Sequence, residues 1–342
     1  MDDPPGLMKI AIVGCGAIGS YYGAKLCQGG HETHFLLRSD YDAVRRHGVQ
    51  IDGDTESFRA HPRCARRPEE VGPSDLVIIG LKTTANDQFS SLLSPLVGPG
   101  TALLTLQNGL GNEEALARLF PIEQILGGLC FVSLNRISPG RIRHIHGGRI
   151  LFGEFQRWPE PRTHDLATLL RHSGIPCQVA DRLDRAHWLK LVWNIPFNGL
   201  GVAAAAGYES VLSGILDAKL GLLPVVATDG LLGAPHWHAL VLALMREVIA
   251  IANQLGLEIP IEYAEQECAR TVGMGAYRAS TLIDFERRQP LELDSLFFEP
   301  LRKARACGVS TPNLERLASI LGQLDRAHIP PEAITDGSGH LP

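Results

Sequence analysis

Two patterns of apolar residues divide the chain near residue 184. Before that point, short apolar runs of strand length alternate with helix-length segments, a pattern typical of parallel sheets with crossover helices. After it, apolar residues recur every three or four positions, which indicates helices only. We therefore predict an α/β fold, with a Rossmann-type doubly wound parallel sheet over residues 8–183 followed by an all-α helical domain over residues 184–326. Residues 327–342 are rich in Pro and Gly, which predicts a flexible tail.

The individual elements follow from the same patterns. Strands are predicted at residues 10–13, 34–37, 75–80, 101–105, 125–132 and 141–155, with a β-rich segment at 49–62 and a last strand ending at residue 179. Helices are predicted between them at 20–27, 41–46, 85–93 and from residue 112. The second half predicts helices at 185–200, 207–222, 239–255, 263–273, 280–288, 294–306 and 314–324. Pro196 lacks a backbone donor and predicts an irregularity in the first of these seven.

A glycine-rich turn follows the first predicted strand. Residues 14–19 read GCGAIG, which gives the glycines a Gly-x-Gly-x-x-Gly spacing. At this spacing the first glycine permits a tight turn, the second lets a pyrophosphate approach the backbone, and the third lets the helix pack on the strand. The N–H groups that open the helix favour phosphate binding. The predicted dinucleotide-binding loop consists of Gly14, Cys15, Gly16, Ala17, Ile18 and Gly19.

The end of the second predicted strand indicates which dinucleotide binds. Arg38 lies there, and its guanidinium group can hold a 2′-phosphate in bidentate fashion. Ser39 can add a hydroxyl donor. We therefore predict NADPH as the cofactor. In the alternative, Asp40 accepts the ribose hydroxyls of NAD and Arg38 is a solvated loop residue.

Composition and charge restrict the classes of function. The 342 residues are enough for two domains, and the net charge of −5 gives no electrostatic reason to expect nucleic acid or a membrane surface as partner. No apolar stretch reaches the ~18 residues of a membrane span, and the start MDDPPGL does not resemble a signal peptide. The seven cysteines are odd in number and lack a Cys-x-x-Cys motif, which is typical of the reduced thiols of a cytoplasmic protein.

Two histidine pairs raise the question of a metal site. His144 and His146 would share a face of a strand, but no third ligand of obvious spacing accompanies them. His236 and His238 lie at a predicted helix start, where residues i and i+2 do not share a face. We therefore predict no metal site.

A polar stripe crosses the first predicted helix of the second half. Lys190, Asn194 and Asn198 have the spacing i, i+4 and i+8, which places them on one face among apolar and aromatic neighbours. Such a stripe can supply a proton donor and two groups that hold a substrate. In the alternative, Lys190 extends into solvent and the asparagines cap or cross-link helices.

Over about residues 8 to 325, the chain resembles the ketopantoate reductase (2-dehydropantoate 2-reductase) family. The resemblance rests on GCGAIG, Arg38, Lys82, QNGLG at 107–111, KLVWNIPFN at 190–198 and RASTLIDFERRQPLELD at 278–294. It implies NADPH-dependent reduction of a small-molecule 2-oxo acid, above all of ketopantoate to pantoate in pantothenate biosynthesis. The resemblance further implies that Lys190 is the general acid and Glu292 hydrogen-bonds within the ternary site, that Asn194, Asn198 and Ser280 bind substrate, and that Lys82 and Asn108 lie near cofactor and substrate.

Two departures from the family pattern leave the substrate open. Gly199 replaces the usual proline, and Phe297 and Phe298 stand where many relatives have a small Asn-Gly turn. We expect both departures near the substrate, where a change of pocket shape alters discrimination by only ~1–3 kcal/mol. A reductase of a different 2-oxo acid or ketone is the nearest alternative, and a non-catalytic NADP(H)-binding regulator is another. The sequence also leaves open whether the chain forms a homodimer.

Overall fold

A computed structural model describes residues 6–54, 56–217, 219 and 221–328 of the chain. The chain divides into two compact units, Met1–Ala186 and His187–Pro342. Most of the predicted tail lies outside the described residues, whereas residues 327 and 328 belong to the last helix, Pro312–His328. The first five residues of the start MDDPPGL also lie outside them.

Unit 1 contains the strands and the shorter helices. Its strands are β1 (Lys9–Val13), β2 (Glu32–Leu36), β3 (Val49–Gly53), β4 (Ser57–Ala60), β5 (Arg63–Ala65), β6 (Leu76–Ile79), β7 (Ala102–Thr105), β8 (Ile125–Ser138), β9 (Arg141–Glu154) and β10 (Cys177–Val179). Its helices are α1 (Ala17–Gln28), α2 (Tyr41–His47), α3 (Phe89–Leu93), α4 (Asn112–Ala117) and α5 (Pro161–His172). Short 3-10 helices lie at Pro68–Glu70, Thr83–Gln88, Ser94–Leu96 and Ile122–Gln124.

All ten strands belong to one sheet with the order β4-β3-β9-β8-β7-β6-β1-β2-β5, and β10 pairs with β9. Strand β1, in the interior of the sheet, is parallel to both β2 and β6, and β7 and β8 continue the parallel set. Two antiparallel pairs, β3 with β4 and β8 with β9, make the sheet mixed. The predicted Rossmann-type sheet is therefore confirmed in its parallel centre, and the antiparallel pairs extend it.

The sequence of the central strands explains why they occupy the centre. Along β1, Ile10 and Ile12 join one apolar cluster, while Ala11 and Val13 join a second cluster on the opposite face. A strand that is covered on both faces must be apolar at every position, and its sequence becomes a continuous apolar run. This burial leaves the loops at the strand ends as the places where polar side chains can act.

Two predictions in unit 1 differ from the structure. The predicted helix at 85–93 is a 3-10 helix, Thr83–Gln88, followed by the short helix α3, and Ala85 between them has non-helical dihedral angles. The Thr, Asn and Asp side chains of this segment compete with the backbone for hydrogen bonds, which disfavours a regular helix. Strand β8 also continues six residues beyond the predicted end at Val132, because its pairing with β9 continues through register shifts.

In its described residues, unit 2 consists of helices joined by loops, as predicted. Its helices are α6 (Leu183–Ala203, which begins in unit 1), α7 (Tyr208–Ser213), α8 (Thr228–Gly233), α9 (Pro235–Gln254), α10 (Tyr263–Val272), α11 (Ser280–Glu286), α12 (Glu299–Ala306) and α13 (Pro312–His328). A 3-10 helix, Ala204–Ala206, follows α6, and a π-helical turn, Asp294–Phe298, precedes α12.

The prediction of one helix over residues 207–222 is wrong. Helix α7 ends at Ser213 because Gly214 has a φ of +73°, the left-handed conformation in which glycine commonly ends helices. The short helix α8 was not predicted. The irregularity predicted at Pro196 does not break the first helix of the second half, because α6 continues as one helix through Pro196.

The described residues also limit what else the chain contains. Their helices include none with the length and apolar character needed to cross a bilayer. All seven cysteines lie within these residues and are free thiols. In the same part of the chain, no group of three or more His, Cys, Asp or Glu side chains could hold a metal ion.

Candidate functional site

The glycine loop joins β1 to α1 and has the geometry that each of its glycine positions requires. Gly14 has a φ of +91°, and a Cβ on it would lie 2.3 Å from the backbone nitrogen of Leu81. A Cβ on Gly19 would lie 2.3 Å from the carbonyl oxygen of Gly14, so the helix packs directly on the turn. A Cβ on Gly16, by contrast, would meet no heavy atom within 4 Å. The side of the loop that a pyrophosphate would approach is therefore open, whereas the other two positions are filled by protein.

The loop presents backbone donors rather than a reactive side chain. The first N–H groups of an α-helix have no intrahelical partner and attract anions. Ser20 Oγ donates a hydrogen bond to the carbonyl oxygen of Cys15 at 3.0 Å, and Cys15 Sγ lies 3.5 Å from the carbonyl oxygen of Ile12. Burial raises the pKa of the Cys15 thiol, which keeps it protonated and weakly nucleophilic.

Arg38 and Asp40, the two candidates for contact with the nucleotide ribose, have different environments. Arg38 is exposed, and its side chain has no hydrogen bond or ion pair within the described residues. Asp40 is 6% exposed and accepts hydrogen bonds from Arg136, from Ser39 Oγ at 2.9 Å and from the Gly140 N–H at 3.1 Å. Burial raises the pKa of the Asp40 carboxyl, but these hydrogen bonds together outweigh it, and the pKa lies below its ordinary value. Asp40 thus holds the β8–β9 turn, while Arg38 can reach a ligand.

Lys82 and Asn108 follow the carboxyl ends of β6 and β7. These strands are adjacent and parallel, and β6 also pairs with β1, whose carboxyl end leads into the glycine loop. Lys82 is exposed, and Asn108 is half-buried. The structure therefore brings Lys82 and Asn108 to the same sheet edge as the glycine loop. This edge is formed by the carboxyl ends of the parallel strands, where open α/β sheets bind ligands.

A chain of side-chain amides supports this edge. Gln107 Nε2 donates a hydrogen bond to Asn86 Oδ1 at 2.8 Å, and Asn86 Nδ2 donates to Asn112 Oδ1 at 2.9 Å. Asn112 is fully buried, and its Nδ2 donates to the carbonyl oxygen of Asn108 at 3.1 Å. The chain links the segment after Lys82 to the turn that carries Asn108. Asn86 and Asn112 are not among the site residues predicted from sequence. Asn86 lies in the 3-10 helix Thr83–Gln88 and Asn112 is the first residue of α4, and the amide side chain is the only local signal of either.

In unit 2, helix α6 places Lys190, Asn194 and Asn198 on one face. Lys190 is half-buried, and the two asparagines are 7% and 3% exposed. The amide of Asn194 has no hydrogen bond within the described residues. Among the described residues, Tyr22 Oη is the fully buried side-chain polar atom without a hydrogen-bond partner, so the Asn194 amide is not sealed from solvent and stays open to a ligand.

The side chain of Asn198 is bound to the start of α11. Its Oδ1 accepts hydrogen bonds from Thr281 Oγ1 at 2.9 Å, from the Thr281 N–H at 3.2 Å and from Ser280 Oγ at 3.4 Å. The structure therefore places Asn198 and Ser280 side by side, although they are far apart in sequence. Glu292, half-buried, lies two residues before the π-helical turn, Asp294–Phe298.

The two departures from the family pattern form one packing contact. A Cβ on Gly199 would lie 2.8 Å from Phe297 Cε1 and 2.7 Å from Leu317 Cδ2. Phe297 is fully buried, and Phe298 is half-buried. The small residue at 199 provides the space that the ring of Phe297 fills. Gly199 and Phe297 thus pack against each other in the interior of unit 2, and the expectation that both departures lie near the substrate stays a prediction.

Comparison with known proteins agrees with this arrangement. Family models described as ketopantoate reductase PanE/ApbA and ketopantoate reductase PanE/ApbA C terminal match residues 10–157 and 182–325. A 2-dehydropantoate 2-reductase of Nostoc sp. is 36% identical over 331 residues, which cover 93% of this chain and 95% of the relative.

Solved structures give the same result. The 2-dehydropantoate 2-reductase of Geobacter metallireducens GS-15 is 43% identical, with a TM-score of 0.83 and coverage of 92% of this chain and 99% of that one. The enzyme of the same name from Methylococcus capsulatus is 30% identical, with a TM-score of 0.81 and coverage of 93% and 97%. The chain therefore belongs to the ketopantoate reductase family.

Proposed function

We propose that the chain is an NADPH-dependent reductase that converts a 2-oxo acid to a 2-hydroxy acid, with ketopantoate as substrate and pantoate as product. The observation that carries this proposal is the amide of Asn194, which lies on the same face of α6 as Lys190 and Asn198, has no hydrogen bond within the described residues and is not sealed from solvent. A carboxylate or carbonyl oxygen of a 2-oxo acid would supply that partner. The names of the relatives, 2-dehydropantoate 2-reductases, support the choice of ketopantoate.

The residues of unit 1 fit the cofactor. Gly14, Gly16 and Gly19 form a loop that is open only at the middle glycine, as pyrophosphate binding requires. Arg38 is exposed and has no ion pair within the described residues, so it can bind a 2′-phosphate without losing a protein contact. We assign Lys82 and Asn108 to the cofactor as well, because they lie at the same sheet edge. NADPH, when bound, supplies the hydride.

The residues of unit 2 supply the remaining chemistry. As hydride adds to the carbonyl carbon of the 2-oxo acid, the carbonyl oxygen acquires negative charge and must gain a proton. The protonated amine of Lys190 can give that proton and stabilise the charge before transfer. Asn194, Asn198 and Ser280 hold the substrate, and Glu292 hydrogen-bonds within the ternary complex.

Replacement of Asn194 tests the observation that carries the proposal. In Asn194→Leu, a side chain of similar size replaces an amide that has no protein hydrogen bond, so we expect the free energy of unfolding to change by no more than about 0.5 kcal/mol. We also expect the KM for the 2-oxo acid to rise at least about tenfold, because an amide–substrate hydrogen bond is lost. The matched control is Asn253→Leu, since Asn253 Nδ2 donates to Ile259 O at 2.8 Å and its loss should lower stability without changing KM. Reduced stability of Asn194→Leu with an unchanged KM would contradict the proposal.

Replacement of Lys190 tests the chemical step. We expect Lys190→Ala to lower kcat by at least about 10²-fold, the usual contribution of a positioned general acid, with little change in the Kd for NADPH. Stopped-flow measurement of NADPH oxidation and fluorescence titration of NADPH separate the two effects. Turnover near the wild-type rate would show that another residue is the general acid.

The alternatives have distinct outcomes in the same assays. Weak turnover of ketopantoate beside faster turnover of another 2-oxo acid or ketone would indicate a related reductase. Tight NADPH binding without turnover on any of these compounds would indicate a binding regulator. The sequence leaves open whether the chain forms a homodimer, and sedimentation velocity measures this directly.

A further inference from the structure

The side chain of Asn198 has a defined donor and acceptor end. A backbone N–H can donate a hydrogen bond but cannot accept one. The atom of Asn198 that lies 3.2 Å from the Thr281 nitrogen must therefore be the amide oxygen. The nitrogen Nδ2, with its two hydrogens, is consequently directed away from α11.

Thr281 contributes most of this fixation. It donates two of the three hydrogen bonds to Asn198 Oδ1, from its hydroxyl at 2.9 Å and from its backbone, and it is 3% exposed. Ser280 donates the third, longer bond at 3.4 Å and is exposed. The buried threonine therefore determines the orientation of the amide, whereas the hydroxyl of the exposed serine can turn towards a ligand.

We propose that Thr281 is a positioning residue, which fixes the amide of Asn198 so that its NH₂ group, and not its oxygen, faces the substrate. This inference rests on the proposed function, in which Asn198 holds a 2-oxo acid. An NH₂ group donates to carboxylate and carbonyl oxygens, and the two polar groups that every 2-oxo acid has are of these kinds. A rotated amide would present its oxygen to the substrate carboxylate, and two acceptors repel each other.

The experiment removes only the hydroxyl bond. Thr281→Val keeps the shape of the side chain and the backbone N–H, and we expect the KM for the 2-oxo acid to rise about tenfold with an unchanged Kd for NADPH. Thr281→Ser keeps a hydroxyl donor and should restore a KM near that of the wild type. The matched control is Thr101→Val. Thr101 directly precedes β7, is 2% exposed, and its hydroxyl donates a hydrogen bond to Ser74 O at 2.6 Å. This control should lose stability but keep the wild-type KM.

A double-mutant cycle separates orientation from general destabilisation. Once Asn198 is replaced by Ala, there is no amide to orient, and Thr281→Val should cause no further rise in KM. In Asn198→Asp, the carboxylate still accepts the three hydrogen bonds but offers no NH₂ group, and its KM should exceed that of Thr281→Val.

A wild-type KM in Thr281→Val or in Asn198→Asp would overturn the inference, as would additive effects in the cycle. Any of these three results, in an enzyme that reduces 2-oxo acids, would leave the proposed reaction intact. Failure of the wild type to reduce any 2-oxo acid would instead contradict the proposed function itself.

Discussion

The contact between Gly199 and Phe297 predicts how a single added methyl group changes stability. In Gly199→Ala, the new Cβ would lie 2.7 Å from Leu317 Cδ2 and 2.8 Å from Phe297 Cε1, distances below 3.0 Å that real Cβ atoms essentially never show. Phe297 is 0% exposed and Leu317 is 1% exposed, so neither side chain can move into solvent. The substitution therefore forces the interior of unit 2 to expand.

Two opposing effects determine the size of the change. Alanine is favoured over glycine in a helix interior by about 1 kcal/mol. Overpacking of a filled core costs about 1–3 kcal/mol. Because two close contacts are made in a fully buried place, we expect the cost to exceed the gain, with a net loss of about 1 kcal/mol. For a domain of this size, that loss lowers Tm by roughly 2–4 °C.

A second glycine in a helix provides the control. A Cβ on Gly322, in α13, would lie 3.6 Å from Arg326 Nη1 and 3.8 Å from Phe298 Cζ, which are ordinary contacts. Gly322→Ala should therefore gain up to about 1 kcal/mol from helix propensity alone. The two alanine variants should shift Tm in opposite directions.

The assay is thermal unfolding followed by circular dichroism, with KM for the 2-oxo acid measured on each variant. Adding Phe297→Leu to Gly199→Ala removes the ring from the contact and should recover most of the lost stability, whereas KM should stay near the wild-type value throughout. A higher Tm for Gly199→Ala would refute the packing argument. A tenfold change in KM without a change in Tm would show that these positions contact the substrate.

Three further predictions concern unit 1. Arg38→Ala should abolish the preference for NADPH over NADH, measured as the ratio of kcat/KM values, and an unchanged ratio would assign the 2′-phosphate to another residue. Asp40→Asn should leave that ratio unchanged but cost about 1–3 kcal/mol in the free energy of unfolding at pH 7. The folded state lowers the pKa of the Asp40 carboxyl, so the stabilisation by its carboxylate is fully present above the unfolded pKa of ~3.9 and is lost as the pH falls through the folded pKa. Asp40→Asn should therefore lose less stability than the wild type on acidification. An equal loss in the two proteins would contradict this. Asn112→Asp keeps an acceptor for Asn86 but loses the donor to Asn108 O, so it should weaken NADPH binding in fluorescence titrations. Wild-type affinity for NADPH would show that the amide chain has no role in cofactor binding.

Local sequence was sufficient for the parts of the fold that depend on periodicity. The continuous apolar run of β1 predicted a strand covered on both faces, and the spacing from Lys190 to Asn198 placed these residues on one helical face. The glycine loop was predictable because each of its backbone requirements involves residues close in sequence. These features need no knowledge of distant contacts.

The features that were missed depend on residues distant in sequence. Asn112 matters through Asn86, and Thr281 matters through Asn198, 83 positions away. Asn112 and Thr281 are buried, but no local pattern distinguishes them from polar residues of the surface. The compensation between Gly199 and Phe297 is of the same kind, because each residue is unusual alone and only the folded helices bring them into contact.

The most direct test of the proposed function is the initial rate of NADPH oxidation by the purified protein with ketopantoate, measured beside a panel of other 2-oxo acids. We predict oxidation that depends on the 2-oxo acid, with the highest kcat/KM for ketopantoate. Tight NADPH binding without oxidation on any member of the panel would contradict the assignment of this chain as a 2-oxo acid reductase.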